Sequence, residues 1–401
     1  MRILYLSSSG QLGGAERVLL DLAASLRRSH PAWELHLAAV EPGPLVSAAH
    51  DIGVAATVLP LPQALADLGE SGASPGRVAL RLAGAVLPLR GYVAALRRHM
   101  AAITPSIVHS HGLKTHVVSA LAAGDAPLVW HLHDYVGARR VTAALLRRLS
   151  GRAAMAIANS ASVAADFTAA CGDRVPVTTV LNGVDVESLL PSGPALDLDA
   201  LCGLPPAAAG TVRVGLMATF ARWKGHLTFL EALGRLPREL PVRGYVIGGP
   251  VYQTAGSQVS LEELRGECGR LGLDGRVGFA GFQSDRGAAL RALDIAFHAS
   301  TSPEPFGLVI AEAMSTGRAV ISSALGGAAE LVKPEVDALV AKAGDADDLA
   351  HAIARLAADL ELRGTLGRAA RRTAVERFSQ ARVGAEIAGL YGRLASPAQA
   401  A

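Results

Sequence analysis

The sequence predicts an α/β protein of two successive domains, each a doubly wound parallel sheet. Three observations carry this. Short runs rich in β-branched residues or leucine alternate with longer helical stretches along most of the chain, as in strands joined by crossover helices. The alternation fails once, over 187–210, where Pro191, Pro194, Pro205 and Pro206 crowd in among glycine and alanine, and then restarts. At 401 residues the chain exceeds one typical domain and accommodates two.

In the first half, strands are expected at 3–6, 34–40, 57–59, 107–110, 128–131, 155–158 and 178–181. The second half gives 212–217, 245–247, 277–280, 295–298, 319–322 and 339–341. Between the first two strands, Val18, Leu19, Leu22, Ala23 and Leu26 recur at helical spacing. The domains are therefore expected at 1–186 and 211–377, with 187–210 as a linker. Residues 378–401 form a C-terminal helical stretch. The two domains are expected to face each other across a cleft, and ligands in such sheets sit at the carboxyl ends of the strands.

Half of the residues are hydrophobic, which allows large cores without disulfide or metal staples. The net charge of +3, without Lys/Arg blocks, does not suit a nucleic-acid binder. Cys171, Cys202 and Cys268 are unevenly spaced, which argues against a disulfide framework and fits a reducing cytoplasm. The N-terminus passes from Leu6 straight to polar Ser7, a first strand rather than a signal-peptide core. No uncharged apolar run reaches the ~20 residues needed to span a bilayer. The longest candidate, 78–96, is broken by Arg81, Pro88 and Arg90. A cytoplasmic protein is expected, soluble or peripheral on the inner face of the membrane.

Four motifs bear on chemistry. Ser8-Ser9-Gly10-Gln11-Leu12-Gly13-Gly14 follows the first strand and opens a helix. Such glycines admit an anion to the helix N-terminus; they also make an ordinary tight turn. Its G-x-x-G-G spacing differs from the dinucleotide fingerprint, although Glu41 ends the second strand. Next come histidines at strand ends, His109 and His111, then His131 and His133 beside Asp134. Three readings stand for them: a general base or positioning group at His133, polar packing, and a metal site. No acidic or cysteine cluster completes a metal shell, so no metal is expected.

The third motif, Arg222-Trp223-Lys224-Gly225-His226, can neutralise a departing diphosphate or be a solvated basic loop. Gly248, after the next strand, marks a close-approach turn. The fourth runs from Ser300 to Met314 and contains Pro303-Glu304-Pro305-Phe306-Gly307-Leu308-Val309-Ile310-Ala311-Glu312. Backbone amides at 307–309 can face a phosphate while the carboxylates face sugar hydroxyls.

This last block resembles the E-x7-E signature of the retaining GT-B glycosyltransferases of family 4. Gly13-Gly14, His133-Asp134, Leu181-Asn182-Gly183-Val184-Asp185, Trp223-Lys224-Gly225 and Gly326-Gly327 extend the resemblance over nearly the whole chain. It implies the GT-B architecture, with an N-terminal acceptor domain, a C-terminal domain for a UDP-, GDP- or other NDP-sugar, and a C-terminal helix within 378–401 that packs back on the N-domain. Lys224 and Arg222 would bind the diphosphate, helped by the amides of Gly307, Leu308 and Val309. Glu304 would contact the donor sugar and Glu312 the ribose. Gly14 would let its loop approach the phosphate, and His133 would act with Glu304 at the reacting centre. Gly248, Phe282 and Phe306 join the donor side; His111, Asp134 and Asn182 are acceptor-side candidates.

Many relatives carry Gly-Arg where this chain has Ala218-Thr219, which leaves Arg222 as the nearest arginine. The resemblance further implies retention of anomeric configuration without a metal or other cofactor. The alternatives are a GT-B sugar-nucleotide epimerase or hydrolase, and a catalytically silent sugar-nucleotide-binding subunit. Acceptors of small-molecule, lipid-linked or glycan type all remain open. Arginines between 77 and 152 interleave with apolar residues over 80–96, so the N-domain offers a candidate basic face for membrane contact.

Overall fold

The structure, a computed structural model, describes residues 1–66, 75–250 and 257–395, with backbone alone at 66 and 75–83. Residues 67–74 and the side chains of Arg77, Leu80, Arg81 and Leu82, from the candidate basic face, lie outside the described residues. The chain divides into two compact units: Met1–Gly183 with Gln380–Ala401, and Val184–Ser379.

The first unit holds strands β1 (Arg2–Ser7), β2 (Glu34–Ala39), β3 (Ala55–Val58), β4 (Ile107–His111), β5 (Leu128–Leu132), β6 (Met155–Ala158) and β7 (Val177–Thr179). They form one sheet in the order β3-β2-β1-β4-β5-β6-β7, and every pairing is parallel. Strand β1 shows why its sequence is apolar throughout. Ile3 and Tyr5 enter a core with the Gly14–Ser29 helix, while Leu4 and Leu6 enter the opposite core. Side chains alternate across a strand, so a sheet covered on both faces needs apolar residues at every position.

The second unit holds β8 (Val212–Met217), β9 (Val242–Ile247), β10 (Val277–Gly281), β11 (Ile295–His298), β12 (Ala319–Ser322) and β13 (Leu339–Val340). Its order is β10-β9-β8-β11-β12-β13, again all parallel. Every strand expected from sequence is present, with edges shifted by a few residues; β7, for instance, begins before the expected 178 and ends before 181.

Two stretches outside the sheets bear on the domain limits. Residues 187–210, expected as a linker, belong to the second unit. Asp197 caps the short Leu198–Leu201 helix, accepting from the Ala200 N–H at 3.0 Å. Buried Asp199 then accepts from Tyr245 at 2.5 Å, Arg243 at 2.6 Å, the Ala207 N–H at 3.0 Å and Arg213 at 3.1 Å. Burial alone would raise the Asp199 carboxyl, but these donors outweigh it and hold it well below the usual carboxylate range. Farther up, Arg371 donates to the Val186 and Leu189 carbonyls at 2.9 and 3.2 Å.

The C-terminal helix, Gln380–Ala395, belongs to the first unit. Its Val383, Ile387, Leu390 and Tyr391 complete the core that contains Ile3 and Tyr5. Ser25 donates to the Gln380 carbonyl at 2.9 Å, and Gln380 Nε2 donates to Asp21 at 2.8 Å. Gly384 is required at the crossing, because a Cβ there would lie 2.2 Å from Ser25 Oγ.

Candidate functional site

A buried polar cluster of the second unit lies at the carboxyl end of β11. His298 closes that strand, and the chain turns through Ser300 to Glu304. The Glu304 backbone is pinned on both sides: its N–H donates to the Leu325 carbonyl at 3.1 Å, and its carbonyl accepts from Gly327 N–H at 2.8 Å. The Gly326-Gly327 pair thus works here as backbone, with Gly326 at φ +64°.

Glu304 Oε2 accepts from Lys224 Nζ at 2.6 Å and Ser300 Oγ at 2.9 Å, with His298 Nε2 at 3.3 Å. Burial raises this carboxyl, yet Lys224 and His298 together lower it to about 2. Glu304 therefore stays ionised across the working pH range. Lys224 arrives from the Arg222–Lys224 turn after β8, its ammonium 4.1 Å above the Trp223 ring. Gly225 at φ +75° follows it, and a Cβ at that position would lie 2.1 Å from the Ala299 carbonyl oxygen. Only glycine brings the two loops this close.

Gly307, at φ +94°, opens the Leu308–Ser315 helix, whose first N–H groups have no intrahelical acceptor. Leu308 and Val309 are half-buried in that turn. Glu312 lies inside the helix, 3 % exposed, and is paired with Arg286 from the start of the Arg286–Arg291 helix.

The other donor-side residues divide. Gly248, at φ +141°, lets the ends of β8 and β9 meet, since a Cβ would lie 1.9 Å from the Ala218 carbonyl oxygen. Phe282 is exposed. Phe306 is not a surface ring: it is buried edge-on to Phe378 at 6.1 Å. Pro305 and Gly307 on either side turn the backbone so that its ring enters the core. Arg222 does not join Lys224 at Glu304. Both its terminal nitrogens go to Glu263, at 2.7 and 2.8 Å, because Ser260 caps the Leu261–Arg270 helix and sets Glu263 in its first turn.

In the first unit, the glycine turn after β1 is tied to the end of β2. Glu41 accepts from Ser9 Oγ at 2.9 Å and from the Gly10 N–H at 3.1 Å. Glu41 is thus a structural brace for the loop that leads to Gly14. Beyond β5, His133 Nε2 meets His111 Nδ1 at 2.9 Å, and burial lowers His133 to about 3. Its neighbour Asp134 is paired with Arg139, and Asn182 is buried. Beneath them His109, His111 and His131 are fully buried, and one ring nitrogen of each lies within 4.8 Å of the others. Strand register sets His131 on β5 beside His111 on β4, so imidazoles from two strands gather at one place.

His298, Ser300 and Arg286 were missed from sequence. The first two are separated from Lys224 by more than seventy residues and meet it only because β8 and β11 are sheet neighbours.

The family relationships agree with this layout. Residues 209–373 match the model of the family Glycosyl transferases group 1, and residues 12–188 match that of Glycosyltransferase Family 4. The chain belongs to glycosyltransferase family 4. It is 34% identical over 41% of its length to the lipopolysaccharide core biosynthesis glycosyltransferase LpsE of Rhizobium meliloti. It is 32% identical over 72% of its length to the D-inositol 3-phosphate glycosyltransferase of Saccharomonospora viridis. The matched regions span 45% and 64% of those relatives' own length.

Among solved structures, Anabaena Alr3699/HepE in complex with UDP-glucose is similar over 98% of this chain and 100% of that one, with a TM-score of 0.81 and 27% identity. The sucrose-phosphate synthase of Thermosynechococcus elongatus, 20% identical over 98% of this chain and 99% of its own, shares the fold at a TM-score of 0.77. The two Rossmann-like units are accordingly those of the GT-B architecture. Among the described residues, no helix is long and apolar enough to cross a membrane.

Proposed function

We propose that this family 4 member transfers a sugar from a nucleoside-diphosphate donor to an acceptor hydroxyl, with retention of anomeric configuration. The observation that carries the reading is the Lys224–Glu304–His298–Ser300 cluster, with the Glu312 helix directly following its loop. Lys224 supplies the cation that a departing diphosphate requires, and the first-turn amides at Gly307–Val309 add donors without a net charge of their own. Glu304, held ionised, accepts from sugar hydroxyls. Glu312 serves the ribose once it exchanges Arg286 for the diol. His133, kept neutral by burial, positions the reacting centre.

UDP is the first donor nucleotide to try, since the similar Anabaena protein is described with UDP and UDP-glucose. A cationic side chain and helix amides stabilise diphosphate charge without a divalent ion, so the donor KM is expected to be unchanged by chelation. No cofactor beyond the donor is invoked. The leaving phosphate itself can take the acceptor's proton. Peripheral contact with an anionic membrane fits acceptors on lipid-linked glycans, and relatives in lipopolysaccharide core biosynthesis favour that class.

The test is a panel of nucleotide sugars with a mixed acceptor pool, with product configuration read by NMR. Acceptor-dependent transfer with retention that is lost in Glu304→Gln supports the proposal. Rapid epimerisation or hydrolysis without acceptor favours the epimerase or hydrolase, and tight donor binding without turnover favours a silent subunit.

A further inference from the structure

The histidine cluster of the first unit has its own chemistry, outside the donor machinery. His109 and His111 alternate along β4 and so share one face, while His131 on β5 is the register partner of His111. The three rings are 0%, 1% and 1% exposed, and they touch one another at centroid distances of 4.5 to 5.1 Å. Among the described residues, Nε2 of His109, Nε2 of His111 and both nitrogens of His131 have no hydrogen-bond partner. Four buried nitrogens without a protein partner are costly, because a buried polar group without a partner forfeits its hydration for nothing.

The partners that do exist are those a metal ligand needs. Tyr391 hydroxyl holds His109 Nδ1 at 2.5 Å, and His133 Nε2 holds His111 Nδ1 at 2.9 Å. An outer partner on one ring nitrogen fixes the tautomer and leaves the other lone pair to ligate. We propose that His109, His111 and His131 form a three-nitrogen site for one divalent first-row transition cation, zinc above all. An all-imidazole set suits zinc and its neighbours and disfavours magnesium or calcium, which want oxygen. Each ligand atom lies within 4.8 Å of the others, and a tetrahedral zinc needs about 3.3 Å between nitrogens, so ring movements of ~1 Å close the site. The fourth position stays open for hydroxide or another small anion, which offsets charge in a pocket whose three ligands are neutral.

Cobalt titration of the metal-stripped, full-length protein tests this. One equivalent of Co2+ per chain is expected, with the intense visible absorption of four- or five-coordinate cobalt, displaced by Zn2+. Saturating Zn2+ should raise Tm by about 5 °C. His131→Leu removes a ring that has no hydrogen bond to lose and should weaken Co2+ binding ~100-fold or more. His50→Gln, on the exposed surface, should bind as the parent does. Weak octahedral cobalt that washes off the parent protein, or unchanged affinity in folded His131→Leu, overturns the site and leaves the bare nitrogens to buried water. The parent spectrum decides by itself if His131→Leu does not fold.

Discussion

Glu304 and Glu312 are spaced eight apart in sequence but live in different electrostatic settings. Glu304 shares one oxygen among Lys224, Ser300 and His298, while Glu312 is paired with Arg286. Glu312→Gln should weaken nucleotide binding by ~1–3 kcal/mol, the cost of a charge-assisted hydrogen bond, and leave the fold intact. Titration calorimetry with UDP measures it, and unchanged affinity would remove the ribose from Glu312. For His133→Ala the forecast is a different split: kcat falls well over tenfold while UDP affinity holds, as the proposed role at the reacting centre requires. A folded variant with full kcat would reduce His133 to packing. At this scale the sequence displayed the two carboxylates, Lys224 and His133 through motif spacing. It did not display His298, Ser300 or Arg286, whose proximity depends on strand order, nor the Glu263 carboxylate forty-one positions from Arg222 that claims its guanidinium.

Elements were read best where one physical rule dominates. A strand buried on both faces must be apolar along its length, so β1, β8 and β11 announce themselves; the proline-rich 187–210 stretch has no such period. It is held by buried Asp199 with its donors from β8 and β9, and by Arg291, Arg318 and Arg371, which donate to its carbonyls; residues this far apart in sequence give no local signal. The Leu308–Ser315 and His226–Arg235 helices both start at a glycine with positive φ, which places the residues around them. His226, first in its helix, packs edge-on to Phe220 at 5.3 Å, and among the described residues neither ring nitrogen has a hydrogen-bond partner. Burial, and secondarily Lys224, lowers it from 6.5 to about 4. Below pH 6.5 the unfolded chain takes up a proton that the folded one resists until about 4, so this stabilisation is whole above 6.5 and drains away as pH falls. At pH 4.5 the loss is about 2 kcal/mol. Glu304 titrates far lower and does not share this window. His226→Phe keeps the ring and removes the proton site, so its stability should fall less steeply than the parent's between pH 7 and 4.5. Chemical denaturation at each pH gives the difference, and parallel curves would contradict the assignment.

For the molecule as a whole, the open matter is where it works, and the first unit carries the relevant surface. The expected amphipathic segment at 80–96 is only partly outward: Tyr92, Val93 and Leu96 are buried in the core, and Arg97 is engaged with the Leu121 carbonyl at 2.7 Å. Val86 and Leu87 do face solvent, Leu87 at 76%. The Arg140–Leu149 helix is the stronger candidate, because Ala143 and Leu146 anchor it while Val141 and Leu145 stand exposed at 59% and 42%. Arg140, Arg147 and Arg148 are exposed on the same helix. Apolar side chains beside arginines suit an anionic headgroup layer, where each charge contributes ~1 kcal/mol. Three arginines together are then worth about 100-fold in partitioning. The protein should co-sediment with phosphatidylglycerol-containing vesicles at low salt and be released at 1 M salt, where screening shortens to about 3 Å. Changing Arg140, Arg147 and Arg148 to Gln should abolish binding while UDP affinity in the second unit is kept. Val141→Ser with Leu145→Ser should weaken binding in a way that salt does not mimic, because it removes buried apolar area rather than charge. Equal recovery in the supernatant with anionic and zwitterionic vesicles at low salt would make this face an ordinary solvated helix and turn the search toward freely soluble acceptors.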